Sequence, residues 1–320
     1  MEDMLAILLS DIHYRHRAPI ARSAELHWYD AMDRQMKQVR ELQKRYDCPV
    51  VVAGDVFDDA WRPTRCPPEL TNFAIKTLPD RCYGVVGQHD LPNHRLEELH
   101  RSAFCTLMAA GKMQYLSPNI PVDLEVAGGR VLRLHGFPWG TEVRQRPKEA
   151  TGAFAIDVAV IHAYVWRQGT GYPGADQSRM SKAWRKRLGG YDVAHFGDNH
   201  VPLHTCKDGL TIFNPGSFFR NRIDEKEHKP HVGLLKSDGT VEPHYLDCSQ
   251  DKFLEPSDLK SVISDATDGN FEEVVQMLSN MADSAADFAD AVRWAVDKIN
   301  PSDRVKATVL ASLEKTKEKR

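Results

Sequence analysis

The feature that most constrains this 320-residue chain is a series of short apolar, β-branched runs, five of which lead into the Asp, His and amide residues set out next. The run at 5–9 leads into Ser10-Asp11-Ile12-His13, and the run at 50–53 into Gly54-Asp55-Val56-Phe57-Asp58. The run at 83–86 leads into Gly87-Gln88-His89-Asp90, 156–161 into His162, and 193–196 into Gly197-Asp198-Asn199-His200. Three more runs lie at 131–134, 211–213 and 232–235. Continuous apolar character predicts strands buried on both faces. Between them, helical spacing is legible at 23–46 (Met32, Met36, Val39, Leu42, Tyr46), at 67–78 behind Pro67 and Pro68, and at 95–110 before Gly111. Strand–helix alternation predicts an α/β layered fold.

Ligands bind at the carboxyl ends of strands in open α/β sheets, so the five endings can converge on one spot. Asp11 and His13, two residues apart in an extended segment, would point to the same side, as two ligands of one metal ion require. Glycines before Asp55, Gln88 and Asp198 would let the backbone turn tightly against a ligand.

Composition narrows the classes. Hydrophobic residues at 42% and charged residues at 27% are the balance of a soluble globular protein, and no run reaches the length of a membrane span. Lys+Arg 42 against Asp+Glu 45 leaves a net charge of -3, so a polyanion would have to be held by a local basic patch. Six scattered cysteines without a C-x-x-C pair read as reduced thiols, and the expected location is the cytoplasm. After about residue 250 only helical patterns remain, which divides the chain into a domain at 1–250 and a helical region at 251–320.

The ordered set D-x-H, G-D-x-x-D, G-Q-H-D, an isolated His and G-D-x-H resembles the calcineurin-like metallophosphoesterase superfamily over residues 5–220. Within it, G-D-V-F-D-D-A-W-R-P at 54–63, G-x-H-D at 87–90 and N-P-G-S at 214–217 look like the SbcD-type DNA-repair nuclease subunit. A short helical tail is also similar to bacteriophage-encoded forms. The resemblance implies a four-layer α-β-β-α sandwich with a small C-terminal helical element, acting in the cytoplasm of a bacterium or of a phage-infected host. It implies two divalent cations, one held by Asp11, His13, Asp55 and His200. Asp55 would bridge to a second held by Gln88, His162 and Asp198. His89 would be the general acid or transition-state stabiliser with Asp90 fixing its tautomer, and Asp58 would support the ligands from behind.

Two positions depart from the family pattern: Gln88 stands for Asn, and Asp198 for the first His of G-H-x-H. Both still offer oxygen, and three carboxylates in place of two favour Mn, then Mg, over Zn. Paired cations about 3.5–4 Å apart activate water and neutralise charge on a phosphodiester, so no serine or cysteine nucleophile is required.

The resemblance implies DNA as the substrate and an SbcC-like coiled-coil ATPase as partner; a second copy of the chain (a homodimer) is a further expected partner, and a membrane is not. The segment 164–187 interleaves Tyr164, Trp166, Tyr172 and Trp184 with six basic residues, a mix suited to frayed DNA, or alternatively an amphipathic helix with Trp184 on the sheet. Arg15, Arg62, Trp166, Arg185 and Arg220 are the candidate substrate contacts. The tail at 302–320 has a modest apolar face that could dock on a coiled coil or pack on its own domain. G-T-G-Y-P-G at 169–174 matches G-x-G-x-x-G, but Pro173 spoils it as a dinucleotide site. His135, His195 and His204 read as packed histidines. Two alternatives stay open: a phosphatase or cyclic-nucleotide phosphodiesterase with the same site, and a DNA-binding scaffold whose second metal position Gln88 and Asp198 have disabled.

Overall fold

A computed structural model describes residues 4–58, 66–118, 120–146, 155–171 and 174–254. The helical region expected at 251–320 therefore lies outside the described residues beyond 254, as do Arg62 and Tyr172.

Two six-stranded sheets carry the fold. The first contains β1 (Met4–Leu9), β2 (Val50–Ala53), β3 (Cys82–Val85), β4 (Met113–Tyr115), β11 (His231–Lys236) and β12 (Val241–Tyr245), in the order β12-β11-β1-β2-β3-β4. The second contains β5 (Val122–Val126), β6 (Arg130–Phe137), β7 (Ala155–His162), β8 (Val193–Gly197), β9 (Leu203–Lys207) and β10 (Leu210–Asn214), in the order β5-β6-β7-β8-β10-β9. The strands β1 to β4 run parallel, as do β6, β7, β8 and β10.

Alternation of side chains divides each interior strand between two cores. Leu5, Leu8, Val51, Ala53 and Val85 face Leu132, Leu134, Val158, Val160 and Phe213 between the sheets. On the outer side of the first sheet, Ile7, Leu9, Val50 and Val52 meet helices α1 (Trp28–Tyr46), α2 (Pro68–Thr77) and α3 (Ala103–Ala109). Across the molecule, Ala159, Ile161, Ala194 and Phe196 meet Trp184 and Leu188 of α4 (Ser181–Arg187) and the residue after it. The layers are thus helix, sheet, sheet, helix.

Two helices differ from expectation. The first begins at Trp28 and not at 23, because Arg22 and Glu25 are drawn into bonds with each other and with the 251–252 segment: Glu25 Oε1 accepts from the Lys252 amide at 2.9 Å and Arg22 pairs with Asp251 at 3.0 Å. The span 95–110 breaks into a 3-10 turn, Leu96–Arg101, and α3, since the Ser102 hydroxyl accepts from the Cys105 amide and caps a new helix.

Candidate metal centre

All five polar strand endings arrive at one place. Asp11 Oδ1 accepts from the Asp198 amide at 3.0 Å, joining the end of β1 to the end of β8. The Asp55 Oδ1 accepts from the His89 amide at 3.0 Å, joining β2 to β3, and His162 Nδ1 lies 2.6 Å from the Ala53 carbonyl, joining β7 to β2. Beneath them His195 is buried with Nε2 2.9 Å from the Leu9 carbonyl, a packed histidine that fastens β8 to β1.

The extended geometry expected for Asp11 and His13 is not what the chain adopts. Asp11, His13 and Asp55 have φ of 48°, 50° and 50°, and Asp198 has φ 86°. Left-handed backbone is costly for residues with a Cβ and persists where the surroundings over-determine it. Asp11 and His13 still meet, through a left-handed turn. Glycines give the site room: a Cβ on Gly54 would collide with the His162 ring, and one on Gly87 with the Asp55 carboxylate.

Two sets of ligand atoms result. Those of Asp11, His13 and His200 lie within 4.8 Å of one another, as do those of Asp11, Asp55 and His162. His13 and His200 bring their Nε2 atoms to 3.2 Å, and His162 Nε2 is 3.3 Å from Asp55 Oδ2. Gln88 spans the second set: its Oε1 is 2.8 Å from His162 Nε2, and its Nε2 donates to Asp198 Oδ1 at 2.9 Å. The longer side chain of Gln88 and the shorter one of Asp198 thus compensate each other's reach.

The donors fit divalent cations. Asp11 Oδ2 is buried and has no hydrogen-bond partner among the described residues, a costly state for a carboxylate without a positive neighbour. The imidazoles carry that charge in the metal-free protein. Burial disfavours charge on His162, but the Asp55 carboxylate raises it to about 10. Burial likewise opposes charge on His200, and the hydrogen bond to Glu225 with the nearby Asp11 raises it to about 9. Burial also opposes ionisation of Asp55, yet the His162, His89 and His13 rings hold it far below the carboxylate range. For Asp198 burial prevails and pushes the carboxyl up.

Support from behind comes from two carboxylates. Asp58 has Oδ1 3.4 Å from His13 Nδ1 and Oδ2 2.8 Å from Arg15, which places Arg15 beside the site. Glu225, which the sequence reading missed, lies 3.2 Å from His200 Nδ1 and accepts from the Asn221 and Arg222 amides. A carboxylate on the far nitrogen fixes which imidazole nitrogen faces a metal. In sequence Glu225 sits among Arg220, Arg222, Asp224, Lys226 and Glu227, a mixed-charge stretch that reads as surface, so only the fold reveals it.

Several expected roles change. Asp90 does not fix the His89 tautomer: its carboxylate accepts from the amides of Val56, Phe57 and Gly87 at 3.0–3.2 Å, pinning β2 to β3. The Asp58 carbonyl, 3.1 Å from His89 Nδ1, orients that ring instead. Three of the candidate DNA contacts are engaged internally. Trp166 is buried with Nε1 on the Asp176 carbonyl. Arg185 donates to the carbonyls of Thr205, Lys207 and Leu210 at the β9–β10 hairpin, and Arg220 is bound to Asp251 and the Cys248 carbonyl. Within 164–187 the packed-helix alternative holds for Trp184, which is buried with Arg187 stacked on it at 3.7 Å.

The α-β-β-α layers and a buried Asp/His cluster at the strand ends define a metal-dependent hydrolase. The chain belongs to the calcineurin-like phosphoesterase superfamily, whose domain model matches residues 4–238. No curated protein matches the sequence. Among solved structures it is similar to the calcineurin-like phosphoesterase YfkN from Bacillus subtilis (12% identity, 86% of this chain and 99% of that one, TM-score 0.49). It is also similar to the sulfate thiohydrolase SoxB of Thermus thermophilus (13% identity, 82% of this chain, TM-score 0.48), of whose length it spans 60%. An archaeal phosphodiesterase is 12% identical over 75% of this chain and 99% of that one, with a TM-score of 0.38. Among the described residues, no helix is long and apolar enough to cross a membrane.

Proposed function

We propose that the chain is a divalent-metal-dependent DNA nuclease of the SbcD type, working in DNA repair, recombination or degradation with an SbcC-like ATPase. Asp11, His13, Asp55 and His200 would hold one cation, and Asp55, Gln88, His162 and Asp198 the other. Bound cations would supply Lewis-acid charge at the phosphodiester and a lowered pKa for water. With carboxylate and amide oxygens outnumbering its imidazole, the second position suits Mn, then Mg, better than Zn.

The observation that carries the reading is the placement of His89. Its amide is bound by Asp55, which contributes to the ligand cluster, and its ring is oriented by the Asp58 carbonyl. That supports His89 as the proton donor, which would stand beside a bound phosphoester and protonate the leaving oxygen. DNA as the substrate is supported by the phrases at 54–63, 87–90 and 214–217.

A second reading, a phosphatase or cyclic-nucleotide phosphodiesterase, is favoured by the internal engagement of Trp166, Arg185 and Arg220, which removes three DNA contacts. Mn-dependent hydrolysis of linear DNA, p-nitrophenyl phosphate and a cyclic nucleotide separates the two. The nuclease reading expects DNA degradation, lowered about 10²–10⁴-fold in His89→Ala. Turnover of the small substrates with intact DNA would overturn it, and equal rates in wild type and His89→Ala would remove His89 from the chemistry.

A further inference from the structure

Four imidazoles follow one another by successive ring contacts at the site. Ring centroids are 5.0 Å apart from His200 to His13, 5.2 Å from His13 to His89, and 6.3 Å from His89 to His94. The first three are accounted for above; His94 is not. It is exposed, at the end of this succession, and no group among the described residues hydrogen-bonds its ring.

The backbone holds His94 in that position. Leu91 and Pro92 are buried, the Leu91 amide donates to the Gln88 carbonyl at 3.2 Å, and the His94 amide donates to the Leu91 carbonyl at 3.2 Å. Asn93 and His94 are both left-handed, with φ 53° and 56°, and the Asn93 side-chain amide Nδ2 donates to the Glu98 carboxylate at 3.4 Å. Two consecutive side-chain-bearing residues in this conformation are unfavourable, and such strain gathers at functional sites. Here it turns an unpartnered imidazole toward the proton donor of the site.

We propose that His94 binds the phosphate next to the scissile one in a polynucleotide, and so sets a preference for polymer over small phosphodiesters. The assignment rests on the nuclease reading. An exposed imidazole N–H beside His89 is suited to a non-bridging phosphate oxygen, one residue position along the strand from the reacting phosphorus.

His94→Asn tests it, since Asn tolerates left-handed backbone. With Mn present, the variant should raise KM for an oligonucleotide about tenfold, the scale of one hydrogen bond to a charged group, with kcat unchanged. Hydrolysis of bis(p-nitrophenyl) phosphate, which has no neighbouring phosphate, should stay at the wild-type rate. His94→Arg should restore KM. An oligonucleotide with a neutral methylphosphonate at the neighbouring linkage should show the raised KM with wild type and no further rise with His94→Asn. Equal KM values for wild type and His94→Asn on DNA, or an equal loss on the small diester, would overturn the assignment. If wild type hydrolyses the small diester and leaves DNA intact, the nuclease reading fails first and this assignment with it.

Discussion

The two halves of the metal centre are built differently. Around Asp11, His13 and His200, each imidazole has a carboxylate on its far nitrogen, Asp58 for His13 and Glu225 for His200. Around His162 the far nitrogen meets a backbone carbonyl, that of Ala53, and the neighbouring Gln88 and Asp198 brace each other. One half is a pair of imidazoles with carboxylates behind them; the other is an oxygen-rich set held by a backbone carbonyl and by the Gln88–Asp198 hydrogen bond. The lesson is that departures from a motif are to be read together. Gln88 and Asp198, 110 positions apart, are in contact, and each makes sense of the other.

The largest expected effect that sharpens this contrast is at Glu225. Glu225→Ala should lower affinity for the first cation about 10–100-fold and leave the second unchanged, read by calorimetric titration with Mn. Equal weakening of both would show the halves to be one unit. A pH series comes next. Because His162 and His200 are raised to about 10 and 9, both are protonated near neutral pH, and a cation must displace those protons. Mn affinity should therefore fall as pH falls, by up to about tenfold per unit for each proton displaced. Titration in buffers of different ionisation enthalpy counts the protons, and a pH-independent affinity would contradict the assignment of both rings as ligands.

The smallest expected effect concerns the braced pair. Gln88→Asn and Asp198→His should each weaken the second cation, and the double variant should recover part of the loss, with a coupling of about 0.5–3 kcal/mol in a double-mutant cycle on metal affinity. Additive losses would mean that the pair is not a unit. Creation of hydrolysis by the double variant in an inactive wild type would favour the scaffold alternative.

The sequence made the interior of the fold legible and its borders obscure. The eight apolar runs correspond to β1, β2, β3, β6, β7, β8, β10 and β11, which lie inside the two sheets. The four strands without such a run, β4, β5, β9 and β12, are the four sheet edges, where one face or more is open to solvent and the continuous apolar signature is lost. The candidate site was legible because parallel interior strands all deliver their carboxyl ends to one rim. Its supports were not. Glu225 reaches His200 only through the fold, and the backbone amides that take Asp90 away from His89 carry no side-chain signal. Arg185 and Trp166 looked like DNA contacts because a basic or aromatic residue reads the same in sequence whether it meets a phosphate or a carbonyl of its own chain.

Anomalous diffraction at the manganese edge, from crystals grown with Mn, tests the central claim most directly. Two peaks about 3.5–4 Å apart are expected, with Asp55 between them, one beside His13 and His200 and the other beside His162. Density free of any peak between Asp11, His13 and His200, or a single ion that Asp55 does not touch, would contradict it.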